Sequence, residues 1–141
     1  ASGKFLMIGA GNNQKSMAYV ENIAAFLNFA TTFEPGRHVF NYIDKPDFTM
    51  NELTDVICTA LHRKKNNIRI PYAVGLTGGY CLDVLSKITG KEFPVSSIRV
   101  KKFCARTQFK SNNIAATGFK APVTLEQGIA NTVRHEFLEK H

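Results

Sequence analysis

Residues 9–30 read GAGNNQKSMAYVENIAAFLNFA, and this stretch decides how the chain is interpreted. The preceding residues 5–8, FLMI, form an apolar run that ends in a turn rich in glycine and asparagine, which predicts a strand followed by a turn. Beyond the turn, apolar residues recur at helical spacing, and we expect an amphipathic helix that ends before Pro35 and Gly36. Its predicted core stripe, from which Asn22 is excluded, consists of Val20, Ile23, Phe26, Leu27 and Ala30.

The middle of the chain repeats this alternation of strand and helix. Residues 38–43, HVFNYI, are rich in strand-forming side chains and lie between two turn signals, which predicts a strand. Thr49 and Glu52 have the spacing of a capping box, so a helix is expected to begin at that point. The apolar positions of residues 53–61 then recur at the spacing of an amphipathic helix.

The second half begins with a brief strand predicted over residues 68–70. Pro71 then opens a long apolar segment that we expect to be helical and to end at Gly90. A second capping box, Thr124 with Gln127, predicts a closing helix. Close packing of the long segment is predicted from three internal glycines, Gly75, Gly78 and Gly79.

The size and composition are those of an ordinary globular protein. The chain has 141 residues, of which 44% are hydrophobic and 21% charged, and this excludes a disordered or fibrous chain. We therefore expect one domain, covering residues 1–141, of mixed α/β class in which helices alternate with short strands. Three cysteines without a CxxC pair predict reduced, buried thiols and a cytoplasmic protein.

The chain is basic, with a formal net charge of +7 and a pI near 9.5. This charge predicts an anionic partner, for which nucleic acid, a phosphorylated metabolite and a membrane surface are the alternatives. The uncharged residues 70–82 are too few to cross a bilayer, which takes about 20 residues, so no membrane-spanning helix is expected. We accordingly do not expect a membrane partner.

Several catalytic and binding motifs almost match, and each fails at an essential position. Residues 9–16 fit the phosphate-binding GxxxxGK[ST] pattern except at Gln14, where a glycine is required. His135 and Glu136 begin a zinc motif, but Glu139 occupies the position of its second histidine. The catalytic Tyr-x-x-x-Lys pair of short-chain dehydrogenases is also missing, because no tyrosine is followed four residues later by lysine. With all of these motifs incomplete, the sequence predicts neither catalytic nor metal-binding residues.

The segment quoted above resembles a stretch of the extended short-chain dehydrogenases/reductases, in particular the NAD-dependent epimerases and dehydratases of nucleotide sugars. In that family an Arg-Asp pair follows a Gly-x-Gly turn, and an aromatic position and a further aspartate lie downstream. Here Lys15 and Ser16 correspond to the Arg-Asp pair, and Tyr19 and Asn22 correspond to the two later positions. The resemblance extends over roughly residues 9–137.

Residues 111–137, SNNIAATGFKAPVTLEQGIANTVRHEF, resemble the closing pattern of the same family. Counting back from Ser111 and Gly118 places Arg99 at the position of the family's second phosphate-binding arginine. The resemblance therefore implies that Arg99 and Lys15 bind the diphosphate of a nucleotide sugar. A guanidinium matches phosphate in a bidentate manner, whereas a lysine acts as a point charge.

The resemblance also implies what this chain lacks. It corresponds to the C-terminal substrate-binding portion of such an enzyme, without the Rossmann domain that supplies the NAD(P) site and the catalytic tyrosine and lysine. We therefore expect the chain to bind no cofactor itself and to be inactive alone, with NAD(P) bound by the intact parent enzyme. Without the Rossmann domain, an apolar face is expected to be exposed and to favour self-association.

Two alternatives stay open at this point. Sterol-type extended dehydrogenases show similar patterns, but their substrates lack a diphosphate. A small nucleic-acid-binding module would use the basic residues near positions 63–69 and 99–110. No base-reading motif accompanies those residues, which disfavours a nucleic-acid partner.

Overall fold

The computed structural model describes residues 6–138, except for the side chain of Asn112. The expected mixed α/β class is confirmed, because helices predominate among these residues and the strands are short. None of the helices in residues 6–138 is long and apolar enough to cross a membrane. In chain order the elements are β1 (Met7–Ile8), β2 (Gln14–Met17), α1 (Val20–Ala30), β3 (Asp44–Thr49), α2 (Met50–Ala60), β4 (Arg69–Ile70), α3 (Tyr72–Thr89), α4 (Ser97–Cys104), α5 (Asn112–Ala115) and α6 (Leu125–Phe137).

The described residues divide into two compact units. The first unit consists of residues 6–13 and 65–106, and the second consists of residues 14–64 and 107–138. Both units are therefore built from two separate segments of chain, and neither can be released by a single cut. The single domain expected from the length stays a prediction.

The first unit consists of a two-stranded parallel sheet, β1 with β4, and the helix pair α3 and α4. Two of the three glycines of α3 permit close packing, as predicted. A Cβ at Gly75 would lie 2.7 Å from Ile8, and one at Gly79 would lie 2.8 Å from the backbone of Ser97. The prediction is wrong for Gly78, which has no neighbour within 4 Å of that position and faces open space.

The second unit consists of the antiparallel pair β2 and β3, together with α1, α2, α5 and α6. Both predicted capping boxes are present, with Thr49 and Glu52 opening α2 and Thr124 and Gln127 opening α6. Each box satisfies two backbone N–H groups that the first turn of a helix would otherwise leave unpaired. The core of this unit is formed by Tyr19, Phe26, Met50, Ile114, Leu125 and Val133.

The strand predicted over residues 38–43 is wrong, because that segment is irregular and the strand is Asp44–Thr49. The side chains that suggested a strand are used in an aromatic cluster instead, in which Phe40 and Tyr42 contact the ring of Phe26. Tertiary packing of the rings has therefore overridden local strand propensity. The strand predicted over residues 68–70 is confirmed as Arg69–Ile70.

The predicted stripe of α1 is also partly wrong. Phe26 is buried as expected, but Val20 and Leu27 are exposed, and Asn22, placed off the stripe, is completely buried. The buried face of α1 is thus centred on a polar residue, which apolar periodicity does not detect.

The prediction of buried thiols fails at Cys81, which is exposed, whereas Cys58 and Cys104 are half-buried.

Helix α4 is an element that hydrophobic periodicity did not predict. Its local signal is Ser96, whose hydroxyl caps the helix by accepting a hydrogen bond from the Arg99 N–H group at 3.3 Å. Val100 is the apolar anchor of this helix and is 2% exposed. Its few apolar positions did not form a recognisable helical pattern, because basic residues lie between them.

Candidate functional site

Lys15, one of the two predicted diphosphate ligands, lies on β2 in the second unit. The strand register places it opposite Phe48 of β3, and a bridge on the other edge pairs it with Thr107. Its Nζ atom lies 3.4 Å from the Thr107 Oγ1 atom. The side chain is half-buried. Pairing with β3 on one edge and with Thr107 on the other fixes the position of the Lys15 backbone.

Next to Lys15, a polar network is centred on Asp47 of β3. The side chain of Asp47 is only 7% exposed. Its two oxygens accept hydrogen bonds from Ser16 Oγ at 2.8 Å, Lys45 Nζ at 2.7 Å and Gln108 Nε2 at 2.9 Å. Burial alone would raise the pKa of this carboxyl, but the hydrogen bonds, led by that of Lys45, outweigh burial and hold the pKa below its ordinary value.

This network explains the departure from the family pattern at Ser16. The resemblance aligns Ser16 with an aspartate of the family, and in this structure Ser16 contacts a carboxylate of the neighbouring strand, that of Asp47. The Ser16 hydroxyl donates to Asp47 and accepts a hydrogen bond from the Phe109 N–H group at 2.9 Å. A hydroxyl can do both, which a carboxylate cannot. Sequence reasoning assigned no role to Asp47 or Lys45.

A second carboxylate, Asp44, is buried at the start of β3. It accepts hydrogen bonds from the Tyr19 N–H group at 2.7 Å, from Asn22 Nδ2 at 3.0 Å and from the Tyr42 hydroxyl at 2.9 Å. Burial raises the pKa of Tyr42 well above its ordinary value, and the adjacent Asp44 carboxylate adds to this rise. All three donors serve to order the chain, which makes Asp44 a structural residue rather than a base.

Arg99, the other predicted ligand, lies in the first turn of α4 in the first unit. The Ser96 cap fixes the start of that helix. The guanidinium is exposed, and its Nη1 atom donates to the carbonyl of Pro94 at 2.8 Å. Two further exposed cations, Lys101 and Lys102, follow on the same helix. Within the described residues no carboxylate forms an ion pair with Arg99.

Lys15 and Arg99 thus belong to different units, and the structure describes each only in its own surroundings. Their joint action on one diphosphate stays a prediction. What the structure adds is that each cation is attached to ordered backbone, Lys15 by strand pairing and Arg99 by a capped helix.

The second unit also contains a cavity that the sequence did not predict. Its volume is about 590 Å³, and it lies beside the start of β3 and the first turn of α6. The walls are largely apolar, and the polar residues that line the cavity are Asp44, Lys45, Ser111, Thr124 and Glu126. Other lining residues are Tyr42, Phe48, Ile114, Phe119 and Leu125.

The glycine turn after β1 does not fit a dinucleotide. Gly9 and Gly11 both have positive φ angles, of 78° and 73°, which suits a tight turn. The next element, however, is the strand Gln14–Met17, so no helix N-terminus follows the turn to face a pyrophosphate. We therefore assign no NAD(P) site to these residues.

Comparison with known proteins gives a similar sequence over nearly the whole chain. It is 50% identical over 139 residues, 98% of its length, to an N-acetyl-alpha-D-glucosaminyl-diphospho-ditrans,octacis-undecaprenol 4-epimerase of Escherichia coli O157:H7. The chain belongs to the extended short-chain dehydrogenase/reductase family of nucleotide-sugar epimerases and dehydratases. It spans 42% of the length of the E. coli family member. No family model matches the chain.

Two further similarities were found, one in sequence and one in structure. Over 80 residues, 52% of the chain and 22% of the relative, it is 36% identical to an uncharacterized protein of Sinorhizobium fredii. A solved structure of dTDP-glucose 4,6-dehydratase from Bacillus anthracis, in complex with NAD, matches with a TM-score of 0.58 and 16% identity. That match covers 97% of this chain and 36% of the dehydratase, and it supports the fold alone.

Proposed function

We propose that this chain is the substrate-binding portion of a sugar epimerase whose substrate carries a diphosphate. The observation that carries this proposal is the 50% identity over 98% of the chain to an epimerase named for a glucosaminyl diphospho-undecaprenol. A diphosphate is common to that substrate and to the nucleotide sugars of the family. The strongly basic chain, with a net charge of +7, suits such an anion.

Arg99 is the main diphosphate ligand in this proposal. Its exposed guanidinium offers planar donors that match two phosphate oxygens, and its backbone is held by the Ser96 cap. Lys15 contributes a weaker point charge from β2. Charge-assisted hydrogen bonds of this kind contribute about 1.5–3 kcal/mol each.

The hydride chemistry of the reaction would come from outside this chain. The family's Tyr-x-x-x-Lys pair is absent from the sequence, and the glycine turn after β1 leads to a strand. The chain alone is thus expected to bind substrate without converting it, whereas an intact cytoplasmic isomerase would bind NAD(P) through its Rossmann domain.

Calorimetric titration of the chain tests this proposal. The ligands are UDP-N-acetylglucosamine and N-acetylglucosaminyl diphosphate carrying a short, water-soluble prenyl group. Arg99→Ala should lower the affinity for either ligand about tenfold or more, because one bidentate contact of about 1.5–3 kcal/mol is lost. Arg99→Lys should have an affinity between those of the wild type and Arg99→Ala, since lysine keeps the charge but lacks the planar guanidinium.

Matched exposed lysines serve as controls. Lys91→Ala controls for Arg99 in the first unit, and Lys120→Ala controls for Lys15 in the second. Both control variants should bind the diphosphates like the wild type. The proposal is wrong if Arg99→Ala and Lys15→Ala bind the diphosphates as tightly as Lys91→Ala and Lys120→Ala. Tight, salt-sensitive binding of DNA or RNA without any diphosphate-sugar binding would favour the nucleic-acid alternative instead.

A further inference from the structure

Helix α3 of the first unit has an outward face that is apolar. Its inner face packs through Gly75 and Gly79, and Asp83 also points inward, accepting the Ser97 N–H group at 3.1 Å. The opposite face is exposed: Val84 is 56% and Ile88 75% accessible. That outward face consists of Val74, Thr77, Cys81, Val84, Leu85 and Ile88.

This face differs from that of an ordinary surface helix. A solvated helix normally carries charged or polar residues opposite its buried stripe. The two charged residues of α3 are Asp83, which is turned inward, and Lys87, which is exposed. The outward face therefore has no acidic group. Contiguous apolar surface of this kind marks a site of contact with a partner.

The charge of the chain is concentrated in the same unit. The described residues of the first unit contain eight Lys and Arg but only two Asp and Glu, a net charge of +6. The described residues of the second unit contain eight of each and are neutral. The apolar face of α3 thus belongs to the unit that supplies nearly all of the +7 of the chain.

An aromatic residue and a cation form one flank of α3. Lys101 of α4 places its Nζ atom 2.7 Å from the Tyr80 hydroxyl and 5.1 Å from the centre of the Tyr80 ring. The hydrogen bond to Tyr80 raises the pKa of Lys101, which keeps its ammonium group charged. Tyr72 is also exposed at the N-terminal end of the helix. Tyrosine and lysine beside an apolar face are typical of helices that lie at a membrane interface.

Although the sequence predicted no membrane partner, we propose that the outward face of α3 docks on the surface of an anionic lipid bilayer. Val84, Leu85 and Ile88 would enter the boundary between head groups and acyl chains, and Lys87 and Lys101 would contact lipid phosphates. The helix, about 27 Å long, would lie in the plane of the interface, a position that does not require a segment able to span the bilayer.

The choice of a lipid partner rests partly on the proposed function, because the E. coli relative is named for a substrate joined to undecaprenol. It rests independently on charge. A second copy of this chain would bring two units of net charge +6 together, and lysines are depleted at protein–protein interfaces. An anionic bilayer complements both the apolar face and the surrounding cations.

Co-sedimentation of the full chain with vesicles tests the docking. The chain should bind vesicles of phosphatidylcholine mixed with phosphatidylglycerol, and bind phosphatidylcholine alone at least tenfold more weakly. Val84→Glu should reduce binding to the mixed vesicles about tenfold or more. Lys101→Ala should reduce it about fivefold, the effect of one cation near an anionic surface.

The matched control is Leu27→Glu, which places the same charge on an equally exposed apolar position, 63% accessible, of helix α1 in the second unit. It should bind vesicles like the wild type. All of these positions are exposed, so circular dichroism should show unchanged folding. Docking is overturned if the wild type does not bind anionic vesicles, or if Leu27→Glu and Val84→Glu reduce vesicle binding equally. It is also overturned if the chain dimerises in sedimentation velocity and Val84→Glu abolishes only the dimer.

Diphosphate-sugar binding in solution separates this inference from the proposed function. Val84→Glu should retain affinity for UDP-N-acetylglucosamine, and Arg99→Ala should lose it. Failure of vesicle binding with intact sugar binding would overturn the docking alone. Vesicle binding without sugar binding would overturn the proposed function and leave the docking supported by its own residues.

Discussion

Asn22 and Val123, which are 101 positions apart in the sequence, exchange two hydrogen bonds in the second unit. Asn22 Nδ2 donates to the Val123 carbonyl at 2.7 Å, and the Val123 N–H group donates to Asn22 Oδ1 at 3.1 Å. The same Nδ2 atom also donates to Asp44 at 3.0 Å. An amide can serve all three contacts because it carries both donors and an acceptor. The resemblance aligns Asn22 with an aspartate of the family, and these contacts suit an asparagine here.

Asn22→Asp should therefore destabilise the chain strongly. The new carboxylate would lose its donors to Val123 and Asp44 and place a second negative charge beside Asp44 in a site that is 0% exposed. The expected loss in the free energy of unfolding is about 3 kcal/mol or more. Urea denaturation measures it, with Asn28→Asp on the exposed face of α1 as the control. Equal losses in the two variants would contradict the role of Asn22.

Two neighbouring glycines of α3 should respond in opposite directions to alanine. Gly79→Ala would place a Cβ 2.8 Å from the backbone of Ser97, which must then move, at a cost of about 1–3 kcal/mol. Gly78→Ala meets nothing within 4 Å and should stabilise the helix by about 0.5–1 kcal/mol, because glycine is the poorer helix former. Thermal unfolding of both variants checks the prediction, which fails if their midpoints shift in the same direction.

The success of the sequence predictions depended on how local each signal was. The capping boxes at Thr49 and Thr124 are confirmed, because a cap is set by residues three positions apart. The stop at Gly90 is also confirmed, with a positive φ of 67° at that glycine. Residues 38–43 failed because the positions of Phe40 and Tyr42 depend on rings distant in sequence.

The candidate site was predicted less completely than the fold. Lys15 and Arg99, which the resemblance assigns as diphosphate ligands, lie on β2 and on the capped helix α4, and their role stays a prediction. The resemblance gave no sign of Asp47, because the carboxylate that Ser16 contacts lies 31 positions away. A single sequence without contact information cannot pair those positions. The exposed apolar face of α3 was not predicted either, because a continuous apolar run does not show which side of the helix is buried.

The hydroxyl of Tyr42 should affect stability in alkali. Its pKa is raised in the folded chain, so folding favours the neutral phenol, and this contribution is present below the unfolded pKa of about 10 and is lost as the pH rises above it. Tyr42→Phe should cost about 1.5 kcal/mol near neutral pH and flatten the alkaline loss of stability. Denaturation at increasing pH measures both effects. Tyr72→Phe, at an exposed position, should leave both the stability near neutral pH and its alkaline loss unchanged.

Asp47 should govern part of the loss of stability in acid. Its pKa is lowered in the folded chain, so its contribution is complete above the unfolded value of about 3.9 and is lost as the pH falls through the lower folded pKa. Asp47→Asn should lower the free energy of unfolding at neutral pH and make it less dependent on pH below about 5. Urea denaturation across that range tests this, with Glu34→Gln in an exposed loop as the control. Parallel pH profiles for wild type and Asp47→Asn would contradict it.

Exchanging Ser16 and Asp47 should show that the two positions form one polar unit. Ser16→Asp alone sets two carboxylates side by side where the present contact is 2.8 Å, and we expect it to cost about 2–3 kcal/mol. Asp47→Ser alone removes the acceptor of Lys45 and Gln108. The double variant restores one carboxylate and one hydroxyl, so at least half of the summed loss should be recovered, a coupling that a double-mutant cycle in urea measures directly. Additive losses would mean that the strands hold these side chains independently, and that the carboxylate on β3 does not replace the one expected on β2.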